Sequence, residues 1–168
     1  RMNRHYATAL YLEKCGILRQ YFDRPALTTD VIVGFPGETE EEFAQTERFL
    51  ETVHFSDMHI FKYSKRRGTK AADMPNQIDP QIQSVRSEKL IALGERMKDD
   101  FLEACKDQEQ IVLIEEETEI DGTKYMTGHS KNYIRCAFEM DGLVPNMVIK
   151  GTINSKLNEE FVFCKRID

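Results

Sequence analysis

The sequence predicts an α/β domain followed by a small all-β barrel, and three observations carry that prediction. Strand-like apolar runs alternate with helical patterns between residues 5 and 64, joined by short connections. One long amphipathic pattern occupies residues 80–105. Beyond residue 108, five short apolar segments follow one another with turn residues between them.

Taken in order, Tyr6, Leu10, Ile17, Leu18 and Tyr21 recur at helical spacing over residues 5–22, and Pro25 ends that helix. Residues 27–33 read as a strand because Val31, Ile32 and Val33 are β-branched and follow directly on one another. The run halts at Gly34-Phe35-Pro36-Gly37. Thr39, with Glu42 three positions on, then forms a capping box that opens a helix to about residue 53, with Phe43, Leu50 and Val53 on one face. "DMHIFKYS" (57–64) is the next strand. Helix, strand, helix, strand in that order implies parallel pairing through a right-handed crossover.

Asp79-Pro80 is a helix start, with Asp as cap and Pro in the first turn. Ile82, Val85, Leu90, Leu93, Met97, Phe101 and Ala104 form the apolar stripe of the helix that follows, and Lys, Arg, Glu and Asp crowd its other side. The strands after it are expected at 110–116, 123–129, 132–138, 146–153 and 160–166, an antiparallel barrel of the OB type. The domains are therefore expected at 1–107 and 108–168.

Composition narrows the function classes. A net charge of −6 argues against non-specific affinity for nucleic acid, which needs a basic face. No apolar run approaches the ~20 residues that would span a bilayer, and the start "RMNRHYATAL" has no apolar signal core, so no membrane association and a cytoplasmic location are expected. That start is also unlike an initiator sequence, which suggests a piece of a longer protein. Cys15, Cys105, Cys136 and Cys164 are scattered without a ligand-like spacing, which points to packed thiols rather than a metal or iron–sulfur site.

Two loops are candidates for chemistry. In a parallel α/β sheet, ligands sit beyond the carboxyl ends of the strands. "VGFPGET" occupies such a loop, where Gly34 and Gly37 permit a sharp turn or a close backbone approach. A tight turn serving geometry alone explains the same residues. The spacing matches neither a dinucleotide fingerprint nor a P-loop. Directly after the second strand, Lys62, Lys65, Arg66, Arg67 and Lys70 form a cationic loop at the same edge, suited to phosphate or carboxylate groups or simply solvated. Glu38 could serve chemistry or merely favour the helix amino end.

"TTDVIVGFPGETEEEF", followed by "HIFKYSKRRGTKAADM", resembles the radical-S-adenosylmethionine tRNA methylthiotransferases, most nearly the branch that acts on N6-threonylcarbamoyladenosine. "RMNRHYATALY" is similar to that family's segment after its fourth barrel strand, and "YMTGHSKNYIRCAF" to its closing TRAM barrel. The resemblance implies the last strands of a partial (β/α) barrel plus an RNA-binding TRAM domain. It also implies S-adenosylmethionine and two [4Fe-4S] clusters in the parent protein. The cysteine sets that hold those clusters, including a C-x-x-x-C-x-x-C loop, do not occur in this sequence. The chain alone is therefore expected to be inactive.

By the same resemblance, Val33 and Gly34 would wall the cofactor's adenosine, Phe61, Lys62 and Tyr63 would touch its adenine, and Arg4 would meet cofactor or RNA. For Val33 and Phe61 plain core packing is the competing explanation, and for Arg4 a solvated side chain. Arg66 and Arg67 from the cationic loop, with His129, Lys131, Asn132, Tyr133 and Arg135 from the barrel, are the candidates for contact with the tRNA anticodon stem-loop. "EEETEID" (115–121) is expected to face away from the RNA. Rival readings are a methylthiotransferase for isopentenyladenosine or for a ribosomal-protein aspartate, and a non-catalytic RNA-binding module. An α/β hydrolase is disfavoured because no Gly-x-Ser-x-Gly elbow is present. The partial barrel would lack the rest of its own chain, and its uncovered edge strand favours self-association. Sedimentation checks this: a clean monomer at high concentration counts against it.

Overall fold

The computed structural model describes residue 2 and residues 4–167. Arg1 and Asn3 of the opening motif lie outside the described residues. The chain divides into two compact units, one running through Phe101 and the other starting at Leu102.

In the first unit, α1 (Thr8–Tyr21) is followed by β1 (Thr28–Val33), α2 (Glu40–Val53), β2 (Asp57–Lys62) and a 3-10 turn at Lys70–Asp73. Helix α3 (Pro80–Ala104) then leads into the second unit. β1 and β2 pair in parallel, with Thr28 opposite Asp57 and Val33 opposite Lys62. One face of this two-stranded sheet carries Val31, Val33 and Met58 into a core with Phe43, Leu50 and Val53 of α2, Phe55, and Leu90, Leu93 and Met97 of α3. On the other face, Ile32 and Phe61 stand opposite each other in register and are exposed.

The capping box forms as the sequence predicts: the Glu42 N–H donates to Thr39 Oγ1 (3.2 Å), and the Thr39 N–H donates to Glu42 Oε2 (3.0 Å). The apolar stripe of α3 departs from expectation at its start. Ile82 and Val85 are exposed, while Arg86 is buried.

The second unit is a closed five-stranded barrel made of β3 (Glu109–Ile120), β4 (Thr123–Ser130), β5 (Arg135–Phe138), β6 (Val148–Lys156) and β7 (Val162–Ile167), in the order β3-β4-β5-β7-β6. Four of the pairings are antiparallel. The fifth, β5 with β7, is parallel, because the chain leaves β5 to build β6 beside β3 and returns through β7 to close the barrel. Val112, Ile114, Met126, Cys136, Phe138, Ile153 and Cys164 are buried in this unit. The last residues before β3 are tied to it, since the Asp107 N–H donates to the Ile153 carbonyl (3.2 Å).

Two boundaries differ from expectation for local reasons. β3 runs on through "EEETEI" because β4 pairs with it as far as Ile120–Thr123, and Asp121-Gly122 closes that hairpin with positive φ at both residues (49° and 77°). β5 starts only at Arg135, because residues 131–134 form a tight turn around Ser130. Among the described residues, no helix is long and apolar enough to cross a membrane.

Candidate functional site

Parallel pairing sends the chain out of β1 and β2 at the same edge, and the Tyr63 N–H donates to the Val33 carbonyl (2.8 Å) just beyond it. The "GFPGET" loop and the cationic loop therefore leave one rim side by side. Gly34 has a left-handed backbone (φ 72°), and an added Cβ would come within 2.4 Å of Gln83 Cγ. Its N–H donates to Glu38 Oε2 (2.7 Å), and its carbonyl accepts from Gln83 Nε2 (3.3 Å). The Gly37 N–H donates to the Asn76 carbonyl (2.8 Å), and Pro36 is fully buried.

Glu38 is the hinge of this assembly. Its carboxylate also accepts from Arg86 Nη1 at 2.7 Å, its carbonyl accepts from the same nitrogen at 3.2 Å, and Arg86 Nη2 donates to Glu40 Oε2 at 3.1 Å. The guanidinium lies 5.2 Å from the Phe43 ring centre. Side-chain exposure is 7% for Arg86 and 12% for Glu38, so this pair sits in the interior rather than in the exposed class that contributes little. Glu38 precedes the capping residue Thr39 and lies outside the first helical turn. Its position is set by Arg86 and Gly34 rather than by the helix dipole.

The cofactor candidates lie in different surroundings. The Val33 side chain belongs to the core beneath the helices, since strand alternation turns it away from the open face. Ile32 lies opposite Phe61 on the open face, and both are exposed. The Tyr63 ring packs edge-on against Phe35 (5.5 Å, 71°), and its buried hydroxyl has no hydrogen-bond partner among the described residues. Lys62 Nζ donates to Ser84 Oγ (3.3 Å). Arg4 is exposed ahead of α1 and contributes none of these hydrogen bonds. In the cationic loop, the Arg66 carbonyl accepts from both the N–H and Oγ1 of Thr69, which braces the turn while the Arg66 and Arg67 side chains stay exposed.

An apolar cavity of about 370 Å³ opens elsewhere, between α1 and the amino end of β1, lined among others by Leu10, Tyr11, Cys15 and Phe55. Burial pushes the Cys15 thiol up from its usual range. Among the described residues, no group of three or more His, Cys, Asp or Glu is placed to hold a metal, and all four thiols are free and buried.

In the barrel unit, the turn between β4 and β5 gathers the other candidates. The His129 ring lies 5.4 Å from that of Tyr133, and Arg135 Nη1 donates to Glu160 Oε2 (2.9 Å) with its guanidinium 4.4 Å from the Phe161 ring centre. Lys131 is exposed and Asn132 half-buried. Glu115, from the acidic segment, reaches this turn. The β3–β4 register shifts between Ile114 and Glu116, and Glu115 Oε2 lies 2.7 Å from His129 Nδ1.

Sequence reasoning missed Arg86 and Ile32, although each leaves a trace. Residues 86, 90, 93 and 97 are spaced 4, 3 and 4 apart, which puts Arg86 on the buried stripe of α3. Strand alternation separates Ile32 from Val31 and Val33.

No protein-family model matches the chain. It is 37% identical over 141 residues, 83% of its length, to the threonylcarbamoyladenosine tRNA methylthiotransferase MtaB of Bacillus subtilis. It is 33% identical over 154 residues, 92% of its length, to the tRNA-2-methylthio-N(6)-dimethylallyladenosine synthase of Acetivibrio thermocellus. The chain belongs to the tRNA methylthiotransferase family. A second such synthase, from Caldicellulosiruptor saccharolyticus, is 46% identical over 96 residues, 57% of this chain. The matched regions make up 31%, 32% and 20% of those relatives, so the chain spans about a third or less of the length of the curated relatives it matches.

Proposed function

We propose that the chain is the carboxyl-terminal region of a cytoplasmic radical-S-adenosylmethionine enzyme that adds a methylthio group to C2 of N6-threonylcarbamoyladenosine beside the tRNA anticodon. The observation that carries this reading is the shared rim, where the Gly34–Glu38 turn and the cationic loop leave adjacent parallel strands of a chain similar to MtaB. Ile32 and Phe61 would face the adenosine, with Gly34 and Tyr63 at the same rim. Arg66 and Arg67 are suited to phosphates of the RNA. Bound S-adenosylmethionine and its clusters supply the radical and methyl chemistry, and the cluster ligands belong to parts of the parent protein other than this chain.

The threonylcarbamoyl substrate is favoured by the MtaB match and by the "TGHSKNYIR" stretch. Because a relative named for dimethylallyladenosine matches a longer stretch, 154 residues against 141 for MtaB, isopentenyladenosine is the second reading. Nucleoside mass spectrometry of tRNA from a strain lacking the full gene tests both. Loss of the methylthio group from threonylcarbamoyladenosine alone is expected. Loss from isopentenyladenosine alone selects the second reading, and unchanged tRNA rejects both. Cluster reconstitution on the isolated chain is expected to yield no [4Fe-4S] species.

A further inference from the structure

Inside the barrel, two thiols that lie far apart in the sequence come together. Cys136 on β5 and Cys164 on β7 are 0% and 1% exposed. Cys136 stands opposite Val162 in the parallel β5–β7 seam, and Cys164 follows Val162 two residues later. Side chains two apart on a strand share a face, so both sulfurs enter the same interior. They are in hydrogen-bonding contact with each other, and the Cys136 thiol also donates to the Ile134 carbonyl (3.5 Å). The contact with Cys164, and then burial, push the Cys136 thiol far above its usual range, which keeps it protonated in the closed barrel.

Spacing decides what such a pair can take. Strands about 4.8 Å apart, with a rise of about 3.3 Å per residue, put Cα atoms on this diagonal roughly 8 Å apart. A disulfide allows about 7 Å at most between Cα atoms, so forming one requires the backbone to move. A soft ion with two metal–sulfur bonds of about 2.2 Å spans sulfurs about 4.4 Å apart, and so bridges the diagonal with the backbone at rest. Four-coordinate zinc and iron–sulfur clusters need more ligands, and among the described residues no third His, Cys, Asp or Glu joins the pair. Two thiolates in a linear arrangement suit Cu(I).

We propose that Cys136 and Cys164 form a buried two-coordinate site for Cu(I). The site is independent of the tRNA reading. Cu(I) displaces one proton from each thiol and bonds to both sulfurs without changing oxidation state. Two thiols and Cu(I) thus give a bis-thiolate complex with one negative charge, and two protons leave. The Ser130 backbone, hydrogen-bonded to the Cys136 sulfur, favours its thiolate and offsets part of that charge. The β5–β7 seam has only two register pairs, Cys136 with Val162 and Ala137 with Phe163, whereas every other seam of the barrel has at least four. An ion delivered as a thiolate complex enters where opening costs least, and once bound it ties β5 to β7 there.

The test is anaerobic titration of the reduced 168-residue chain with Cu(I) in competition with the chelator bicinchoninate. One Cu(I) per chain should be held against the chelator, and X-ray absorption should show two sulfurs at about 2.2 Å and no other ligand. Cys136→Val and Cys164→Val keep an apolar side chain and should each lower affinity about a hundredfold or more, whereas Cys15→Ala and Cys105→Ala should leave it within about twofold. Cu(I) should raise the melting temperature of the barrel unit in the unaltered chain and not in either valine variant, as linkage requires. Circular dichroism before titration establishes that each variant is folded. Loss of copper to the chelator, copper retained by both valine variants, a third ligand in the absorption spectrum, or copper-dependent dimers on size exclusion would overturn the site. Ready formation of a Cys136–Cys164 disulfide in the native chain with oxidised glutathione would overturn it too, by showing the sulfurs close enough for a redox pair.

Discussion

Replacing Arg86 with Met is expected to lower the stability of the first unit by about 3–5 kcal/mol, because it leaves the Glu38 carboxylate buried without its cation. Methionine preserves much of the apolar stem that packs near Phe43, so the loss reports the charge rather than a cavity. The double variant Glu38→Gln/Arg86→Met should recover a good part of the loss. A glutamine carbonyl can still accept from the Gly34 N–H, and no isolated charge remains. Urea denaturation followed by circular dichroism measures both, a suitable readout for a chain without tryptophan. If Arg86→Met costs less than about 1 kcal/mol, the pair belongs to the weakly contributing class and Glu38 is not the hinge of the rim.

The second large effect is expected at Gly128→Ala in β4. A Cβ there would fall 1.8 Å from the Leu113 carbonyl oxygen and 2.8 Å from its carbon, both backbone atoms of the paired strand. Neither can swing aside as a side chain would, so β3 and β4 must separate where the barrel is closed on both sides. A loss of roughly 4 kcal/mol or more is expected, enough to abolish cooperative melting of the barrel unit. Gly122→Ala is the control: nothing lies within 4 Å of its Cβ, and only the left-handed backbone (φ 77°) is strained, a cost of about 1 kcal/mol. Thermal melts of the two variants compare steric exclusion with backbone strain, and equal shifts would contradict the close approach at Gly128.

Much of the fold was legible before any coordinates. The β-branched run at 31–33, the Thr39–Glu42 capping box, the Asp79-Pro80 start and the Asp121-Gly122 turn each act through neighbours a few residues away, and each forms where expected. The parallel pairing of β1 and β2 followed from element order, and with it the common rim. The candidate site was legible as loops but less so as side chains. Val33 lies in the core while Ile32 lies on the open face, and Glu115 of the acidic "EEETEID" segment is the partner of His129.

The sequence by itself determined which segments are helix or strand and which loops share an edge, because periodicity, caps and turn chemistry operate over a few residues. Only the tertiary structure decided that Arg86 meets Glu38 across 48 positions, that β5 closes on β7 in parallel, and that Cys136 meets Cys164 inside the barrel. Those outcomes depend on the register between distant segments. Register is chosen by the packing of the whole unit, and a slip of one residue would send every such side chain to the opposite face.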